Sequence, residues 1–290
     1  MKTTLRDRLL AYLELSKPRI VSMVLVTTSI GYFLGGRGVA SLSMLLLTLF
    51  GTGMAAAGAA ALNNYLEREF DLKMERTRRR AIPSGRLDPA NALAYGVLMA
   101  LAGVGLLVWQ LNLLTGFIVL LTAFLYVLVY TPLKRLTWWN TSVGAIPGAL
   151  PPVSGWTAAS GEIEIGALVL FGILFTWQHP HFYAIAWMYR DDYREAGYRM
   201  LSVTDPSGQR LFILTILFSV LLMIISMGPA LLGMTGALYL TGALIAGAFV
   251  LSEGLHMAQS ASIQSARRLL RASIYYLPVL LLLISVDAVF

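Results

Sequence analysis

Residues 63 to 86 place carboxylates and guanidinium groups at spacings suited to binding a metal and phosphate. They run Asn63-Asn64-Tyr65-Leu66-Glu67-Arg68-Glu69-Phe70-Asp71, then Lys73, Glu75, Arg76, Arg78, Arg79, Arg80 and Arg86. Carboxylates hold hard divalent cations such as Mg2+, and arginines hold phosphate oxygens. Together they point to a site for a metal-bound diphosphate. The stretch starts at the end of an apolar segment too long for a soluble helix, so the site falls at a membrane surface, where ionisable groups are costly to keep.

If the helix continues through Asp71, then Asn63, Glu67 and Asp71 recur at i, i+4 and i+8. They share one face with Cβ atoms about 5–6 Å apart, and Asn64 lies beside it. Such a row supplies oxygen ligands to Mg2+, which takes few protein carboxylates and leaves its other positions to water and phosphate. Glu69 points away and is expected to pair with a neighbouring arginine. A solvated helix end laced with Glu/Arg pairs would read the same way. The run Glu75-Arg76-Thr77-Arg78-Arg79-Arg80 equally suits a basic anchor on anionic lipid. Its excess over what anchoring needs favours anion binding.

Three further segments carry candidate groups. In Tyr189-Arg190-Asp191-Asp192-Tyr193-Arg194-Glu195-Ala196-Gly197, Asp191 with Glu195, or Asp192 alone, could form a second carboxylate cluster facing the first. One or two Mg2+ ions between the clusters would neutralise charge on a leaving diphosphate, helped by lysine or arginine. Lys134 and Arg135, after Tyr130-Thr131-Pro132-Leu133, are candidate helpers. Taken singly, Asp191 and Lys134 also read as ordinary loop charges. His179 and His181 lie in Trp177-Gln178-His179-Pro180-His181-Phe182, and an intramembrane ionisable residue is a functional candidate by default. Histidine is the usual protein ligand of haem iron, but two separated by one proline do not both suit one iron. His256, one turn after Glu253, reads first as a histidine hydrogen-bonded to another helix.

The elements that must position these groups are membrane helices. The chain is 13% charged and 57% hydrophobic, where a soluble domain is about a quarter charged. Nine apolar stretches, at about 20–36, 42–65, 90–110, 113–131, 140–158, 165–188, 211–232, 235–256 and 273–290, approach the length that crosses a ~30 Å hydrocarbon core. The fold expected is therefore all-α: a multi-pass membrane protein, one bundle of nine transmembrane helices, residues 1–290 forming a single domain.

The net charge of +7 does not mark a nucleic-acid binder, because the cations alternate with the spans. Lys2, Arg6, Arg8, Lys17 and Arg19 precede the first; Arg68 to Arg86, Lys134 and Arg135, Arg190 to Arg210, and Arg267, Arg268 and Arg271 follow every second one. Only Arg37 falls on the other side. This pattern predicts a cytoplasmic N-terminus and an external C-terminus. No cleavable signal is read in the polar, basic residues 1–19. The chain has no cysteine, which excludes disulfides and thiolate metal sites.

Small residues crowd the second segment, where Gly51, Gly53, Ala55, Ala56, Ala57, Gly58, Ala59, Ala60 and Ala61 predict close helix packing. Pro147, Pro151 and Pro152 are expected to break or kink the fifth segment and Pro180 the sixth. Such interruptions are tolerated where the freed backbone is buried or lines a cavity.

At this point the motifs resemble a known family. Asn63-Asn64-x-x-Glu67-x-x-x-Asp71 is similar to the Asn-Asp-x-x-Asp-x-x-x-Asp motif of the UbiA-type intramembrane prenyltransferases, which are nine-helix bundles. Met74-Glu75-Arg76-Thr77 and Pro83-Ser84-Gly85-Arg86-Leu87 resemble the basic loop that comes after it. Tyr130-Thr131-Pro132-Leu133-Lys134-Arg135, Gly148-Ala149-Leu150-Pro151-Pro152-x-x-Gly155-Trp156 and Trp177-Gln178-x-Pro180-His181-Phe182-x-x-Ile185-Ala186 narrow the likeness to the haem-farnesylating branch. The likeness runs from residue 17 to about 201, through Asp192-Tyr193-x-x-Ala196-Gly197-x-x-Met200-Leu201; the last three helices match in hydropathy only. Two departures stand out: Glu67 replaces the usual Asp, and Tyr189 and Tyr193 occupy two acidic positions of the wider family's second motif.

The resemblance implies a Mg2+-dependent transfer of farnesyl from farnesyl diphosphate to a vinyl group of haem b, giving haem O in the cell (inner) membrane. It implies Asn64, Glu67 and Asp71 as catalytic metal ligands, with Asp191 or Asp192. It implies Arg76, Arg80, Lys134 and Arg135 as diphosphate contacts, and His181 before His179 as haem contact. Its partners would be haem b, farnesyl diphosphate, the lipid bilayer, and a haem A synthase or terminal-oxidase assembly. Two rivals are a prenyltransferase for an aromatic acid or quinone precursor, and a non-enzymatic haem-handling membrane protein or transporter, where broken helices and buried histidines also occur. The carboxylate-then-arginine pairing favours the enzyme, and the Trp-Gln-x-Pro-His-Phe segment favours haem.

Overall fold

The computed structural model of the chain describes residues 5–39 and 41–289. Lys2, counted among the N-terminal cations, and Phe290, the end of the last apolar segment, lie outside the described residues. The chain is all-α. Its helices are α1 (Leu5–Leu15), α2 (Pro18–Gly35), α3 (Leu42–Asp71), α4 (Pro89–Gln110), α5 (Leu113–Phe124), α6 (Thr131–Leu136), α7 (Asn140–Ala149) and α8 (Pro151–Ser160). There follow α9 (Ile165–Met188), α10 (Arg190–Glu195), α11 (Leu201–Thr204), α12 (Gln209–Ile225), α13 (Gly228–Leu231), α14 (Ala237–Ser260) and α15 (Ile263–Val286). A π-helical turn, Leu125–Tyr130, joins α5 to α6. Among the described residues the only β feature is one isolated bridge, Thr235 to Ala288.

Local chemistry starts these helices. Ser41 accepts the Met44 N–H, Asp88 the Ala90 and Asn91 N–H groups with Pro89 behind it, and Asn112 the Thr115 N–H. Each satisfies donors that a helix start leaves orphaned. In the bilayer that matters more, because no water replaces the missing partner.

Among the described residues seven helices are long and apolar enough to cross a membrane: Pro18–Gly35, Leu42–Asp71, Pro89–Gln110, Leu113–Leu136, Gln209–Leu231, Ala237–Ser260 and Ile263–Val286. The protein is thus a multi-pass membrane protein. Large apolar side chains on its outside, including Phe50, Leu98, Leu101, Trp109, Ile245 and Leu282, form the surface that lipid covers. The other two segments expected to span differ for local reasons. Residues 140–160 are cut at Leu150 into α7 and α8, as the Pro151-Pro152 pair requires. α9 is as long as its neighbours, but Gln178, His179 and His181 make its second half polar. Pro180 does not interrupt it, contrary to expectation: α9 is continuous from Ile165 to Met188. Gln178 Nε2 donates to the Ala145 carbonyl, 3.0 Å away, and ties this half of α9 to α7.

The small-residue stripe of α3 packs as expected. A Cβ on Gly58 would lie 2.5 Å from the Ala100 nitrogen, and one on Gly103 2.4 Å from the Gly51 carbonyl oxygen, so α3 and α4 touch backbone to backbone. α2 and α8 approach as closely, with Gly155 against the Thr28 carbonyl. Pro151 to Ala158 are all buried, which makes α8 the innermost element. Its Trp156 belongs to an apolar core that also includes Leu174, Tyr183, Trp187, Tyr239, Tyr276 and Leu280. α3, clamped along its length, delivers its last two turns to one end of this assembly. The start of α2, the end of α6 and the exit of α9 meet them there.

Candidate active site

α3 runs unbroken to Asp71, so Asn63, Glu67 and Asp71 do share a face, with Asn64 beside them. All four are buried, Glu67 to 6% exposure and Asp71 to 1%. Burying charge at a membrane protein's mouth is costly without partners. The structure supplies cations. Asp71 Oδ2 accepts from Arg80 Nη1 at 2.7 Å, and the same nitrogen reaches Asn64 Oδ1 at 3.4 Å. Glu67 Oε1 accepts from Lys134 Nζ at 2.6 Å. Lys17 Nζ donates to Asn63 Oδ1 at 2.6 Å, and Asn63 passes the contact on to Thr131 Oγ1 at 3.0 Å. Glu69 is exposed and pairs with Arg68 at 3.2 Å, as expected.

Each cation arrives from a different stretch of chain. Arg80 folds back because Thr77 Oγ1 donates to the Asp71 carbonyl at 3.0 Å and Met74, Ala81, Ile82 and Leu87 are buried beneath the loop. Lys134 is brought round by the π turn. That turn gains a residue per coil relative to an α-helix and so re-aims the residues beyond it. Lys134 rests over the Tyr130 ring, 4.6 Å from its centroid, and Tyr130 stacks on Tyr126. Lys17 precedes Pro18 in a left-handed conformation, φ 50°, a strained choice for a residue other than glycine. Burial, and next the Arg80 charge, push its ammonium down to about 7.

The remaining predicted residues ring this centre. Arg135 lies over Phe70 at 4.6 Å and Arg76 over Tyr189 at 5.4 Å. Tyr198, buried between Phe70 and Tyr193, joins the exit of α9 to the end of α3. Burial, and next the Glu67 charge, raise its phenol above the usual range. Asp191 is exposed and paired with Arg194 at 2.7 Å; Asp192 is half-buried. Among the described residues no three His, Cys, Asp or Glu side chains lie close enough to hold one metal ion. Glu67 and Asp71 therefore form no such group with the acidic residues of α10.

The inner oxygens nonetheless fit a hard cation. Asp71 Oδ1 is buried and has no hydrogen-bond partner among the described residues, a rare and expensive state for a carboxylate oxygen. Together with Asn64 and Glu67 it makes an all-oxygen donor set suited to Mg2+, which keeps much of its shell for water and phosphate.

The two histidines of α9 differ. His179 is fully buried, stacked on Phe218, with Nδ1 2.8 Å from the Phe175 carbonyl and Nε2 3.1 Å from Ser142 Oγ. A carbonyl only accepts, so Nδ1 carries the proton and Nε2 receives the serine's; both nitrogens are engaged. His181 stacks on Trp177 and is half-buried. Its Nδ1 is 2.9 Å from Ser273 Oγ, whose own proton goes to the Leu270 carbonyl. His181 therefore donates through Nδ1 and leaves the Nε2 lone pair for another ligand. His256 is exposed, and Glu253 instead holds Arg268 at 2.8 and 3.0 Å.

Sequence reasoning missed Lys17, Thr77, Thr131 and Tyr198. Lys17 was legible only as one of several cations ahead of a membrane helix. The other three are uncharged residues whose places come from chain reversals.

The UbiA prenyltransferase family matches residues 24–277. A protein of Solibacter usitatus named protoheme IX farnesyltransferase is 47% identical over 95% of this chain and 98% of its own length. A solved structure concerning digeranylgeranylglyceryl phosphate synthase in membranes superposes with a TM-score of 0.82 at 17% identity, over 97% of this chain and 98% of that one. A UbiA homologue from Archaeoglobus fulgidus bound to DMAPP and Mg2+ superposes with a TM-score of 0.65 at 16% identity, over 95% and 99%. At such identities the likeness shows the fold, that of an intramembrane prenyltransferase. The chain belongs to the UbiA prenyltransferase family and, within it, to the protohaem IX farnesyltransferases.

Proposed function

We propose that this protein transfers the farnesyl group of farnesyl diphosphate to a vinyl group of haem b, giving haem O and diphosphate. The observation that carries the transfer chemistry is Asp71, buried with one oxygen on Arg80 and the other without a hydrogen-bond partner among the described residues. The acceptor rests on the Solibacter relative, similar over nearly its full length.

Asn64, Glu67 and Asp71 would hold Mg2+, with Asp191 or Asp192 contributing from α10. Bound there, Mg2+ supplies positive charge to the departing diphosphate. Arg76, Arg80, Lys134 and Arg135 take the diphosphate oxygens, arginine by bidentate hydrogen bonds and lysine as a point charge. The C1–O bond of farnesyl diphosphate breaks with its electron pair leaving on oxygen. The vinyl π pair attacks the allylic cation, and water adds to the resulting carbon centre and loses a proton, completing the hydroxyethylfarnesyl chain. The buried apolar faces of α8 and α9 keep water from the cation before the vinyl group reaches it. His181 presents Nε2 to haem; His179 would first have to give up a hydrogen bond.

Residues 140–160 and α9 complete nine crossings in one transmembrane domain, with the N-terminus cytoplasmic and the C-terminus external. The positive loops and the diphosphate site then share the cytoplasmic side of the inner membrane. The product goes to a haem A synthase or a terminal-oxidase assembly. The test incubates membranes containing the protein with haem b, farnesyl diphosphate and Mg2+ and reads products by mass spectrometry. Farnesylated haem is expected. Its absence beside an active control enzyme, or prenylation of a phenolic acid instead, overturns the proposal.

A further inference from the structure

α1 supplies no group to the proposed chemistry, yet it carries an exposed apolar face. Leu5, Leu9 and Leu13 recur every four residues and so share one side of the helix, with Leu10 beside them. The four are between 50% and 75% exposed. Another side is occupied: Ala11 and Leu15 are buried in one apolar cluster with Ala61 of α3, Ala81, Ile82 and Leu87 of the basic loop, and Ala92 of α4. Adjoining leucines left open beside a well-packed face mark an interaction surface.

Depth and charge say what covers it. The Tyr12 ring lies 5.1 Å from that of Tyr95, whose hydroxyl is 2.7 Å from Ser16 Oγ. Tyr95 is about two turns in from the start of α4 at Pro89, and Ala61 about three turns back from the end of α3 at Asp71. α1 is therefore set against the flanks of two membrane-crossing helices. Only Ser16 and Lys17 separate it from a third, α2, so it cannot leave the headgroup layer. By the helical period Arg6 falls within the leucine face and Arg8 at its edge, and Arg19 is exposed just beyond the helix. Leucines rimmed by arginines at that depth match an anionic leaflet, acyl chains taking the leucines and phosphates the guanidinium groups.

We propose that α1 is a lipid-binding helix, docked into an anionic leaflet through Leu5, Leu9, Leu10 and Leu13, and that this docking tunes the farnesyl-transfer site. α1 reaches the site at two places. The Leu15 carbonyl accepts from Asn64 Nδ2 at 3.2 Å, which fixes the amide that presents Oδ1 to Arg80. Glu14 accepts from Arg86 at 2.7 Å, and Ala11 and Leu15 pack with Ile82 and Leu87, so the basic loop is seated on α1. A helix lifted out of lipid would loosen both. The lipid contact rests on the fold alone, whereas the coupling rests on the proposed function.

The chain has no cysteine, so Leu9→Cys and Asp7→Cys each create a single labelling site, the second turned away from the leucine face by the helical period. The full-length variants, carrying an environment-sensitive fluorophore, are reconstituted in vesicles of phosphatidylcholine with and without phosphatidylglycerol. The label at position 9 should be quenched by brominated acyl chains and shielded from iodide, more so with phosphatidylglycerol present; the label at position 7 should behave in the reverse way. A label at position 9 open to iodide in both vesicles, or shielded from both quenchers as under a second protein surface, overturns the proposal. The coupling is read with the unlabelled chain. Adding phosphatidylglycerol should lower KM for farnesyl diphosphate about fivefold, the effect of one arginine at an anionic surface, and Arg6→Gln should remove most of that gain. Leu9→Ser with Leu13→Ser should raise KM without lowering the unfolding temperature. A KM indifferent to lipid and to these substitutions overturns the coupling. Absence of farnesylated haem in every vesicle overturns the proposed function instead, and the label then decides the lipid contact by itself.

Discussion

The acidic groups at the end of α3 and those on α10 look alike in one dimension and differ in three. Glu67 and Asp71 are buried, each paired with a cation drawn from elsewhere in the chain, and one Asp71 oxygen is left over. Asp191 is 69% exposed and pairs with Arg194, three residues away in its own short helix. A carboxylate in water is already solvated and gains little from a new partner. A buried one that lacks a partner gains much. In the proposed function this difference puts the binding free energy at the buried end of α3 rather than on α10, whose Asp191 is exposed.

Four substitutions and one pH series probe that contrast. Asp71→Asn should cost most, lowering kcat by roughly two to three orders of magnitude, the range seen when a charge-stabilising group is lost, with normal expression in membranes. Turnover near wild type in an activity assay would put the metal elsewhere. Lys134→Gln comes next. It leaves Glu67 buried without its Lys134 partner and deletes a proposed diphosphate contact, so KM for farnesyl diphosphate should rise about 10- to 100-fold. An unchanged KM would mean that Lys134 serves Glu67 alone and takes no diphosphate oxygen.

His181→Gln should raise KM for haem about tenfold, the effect of one lost polar contact, while KM for farnesyl diphosphate stays put. Equal changes in both would place the histidine at a shared rather than an acceptor site. The pH series concerns Lys17, whose ammonium is lowered to about 7. A lowered lysine value means that the free protein loses this charge as pH rises through about 7, whereas a diphosphate bound in the cavity that Lys17 lines with Asn64 and Arg80 would hold it protonated. Affinity for magnesium with farnesyl thiodiphosphate should therefore be greatest below pH 7 and fall above it, by at most about tenfold per unit. Binding near pH 8 should take up a proton, visible as a buffer-dependent heat in calorimetry. Asp191→Asn should change kcat/KM least, by about threefold or less. A loss as large as that of Asp71→Asn would mean that α10 closes on the site and that the contrast belongs to the free protein only.

The helical plan was legible because lipid leaves few choices. An apolar run of twenty residues must satisfy its backbone internally, and the glycines and alanines of α3 predicted the close contact that Gly58 and Gly103 make. The row Asn63–Glu67–Asp71 emerged from the helical period once α3 was taken through Asp71. Pro180 was misread because a proline's missing N–H does not by itself bend a helix held on both sides, here by Gln178 on α7 and Trp177 on α15. The equal standing of His179 and His181 could not be resolved in one dimension either, since the serines that engage them, Ser142 and Ser273, lie 37 and 92 residues away.

Hydropathy and periodicity alone define an all-α membrane protein with carboxylates at the end of one helix and cations in the loops on one side. Both are local properties of the chain, and they carry that much. Which cation meets which carboxylate was settled by the fold. Lys17, Arg80 and Lys134 reach the end of α3 by a left-handed kink before Pro18, a loop pinned at Thr77, and a π turn. The letters around them would have served as well for cations lying on lipid. A charge acquires its role from the free energy of its surroundings, and those surroundings exist only once the helices have packed.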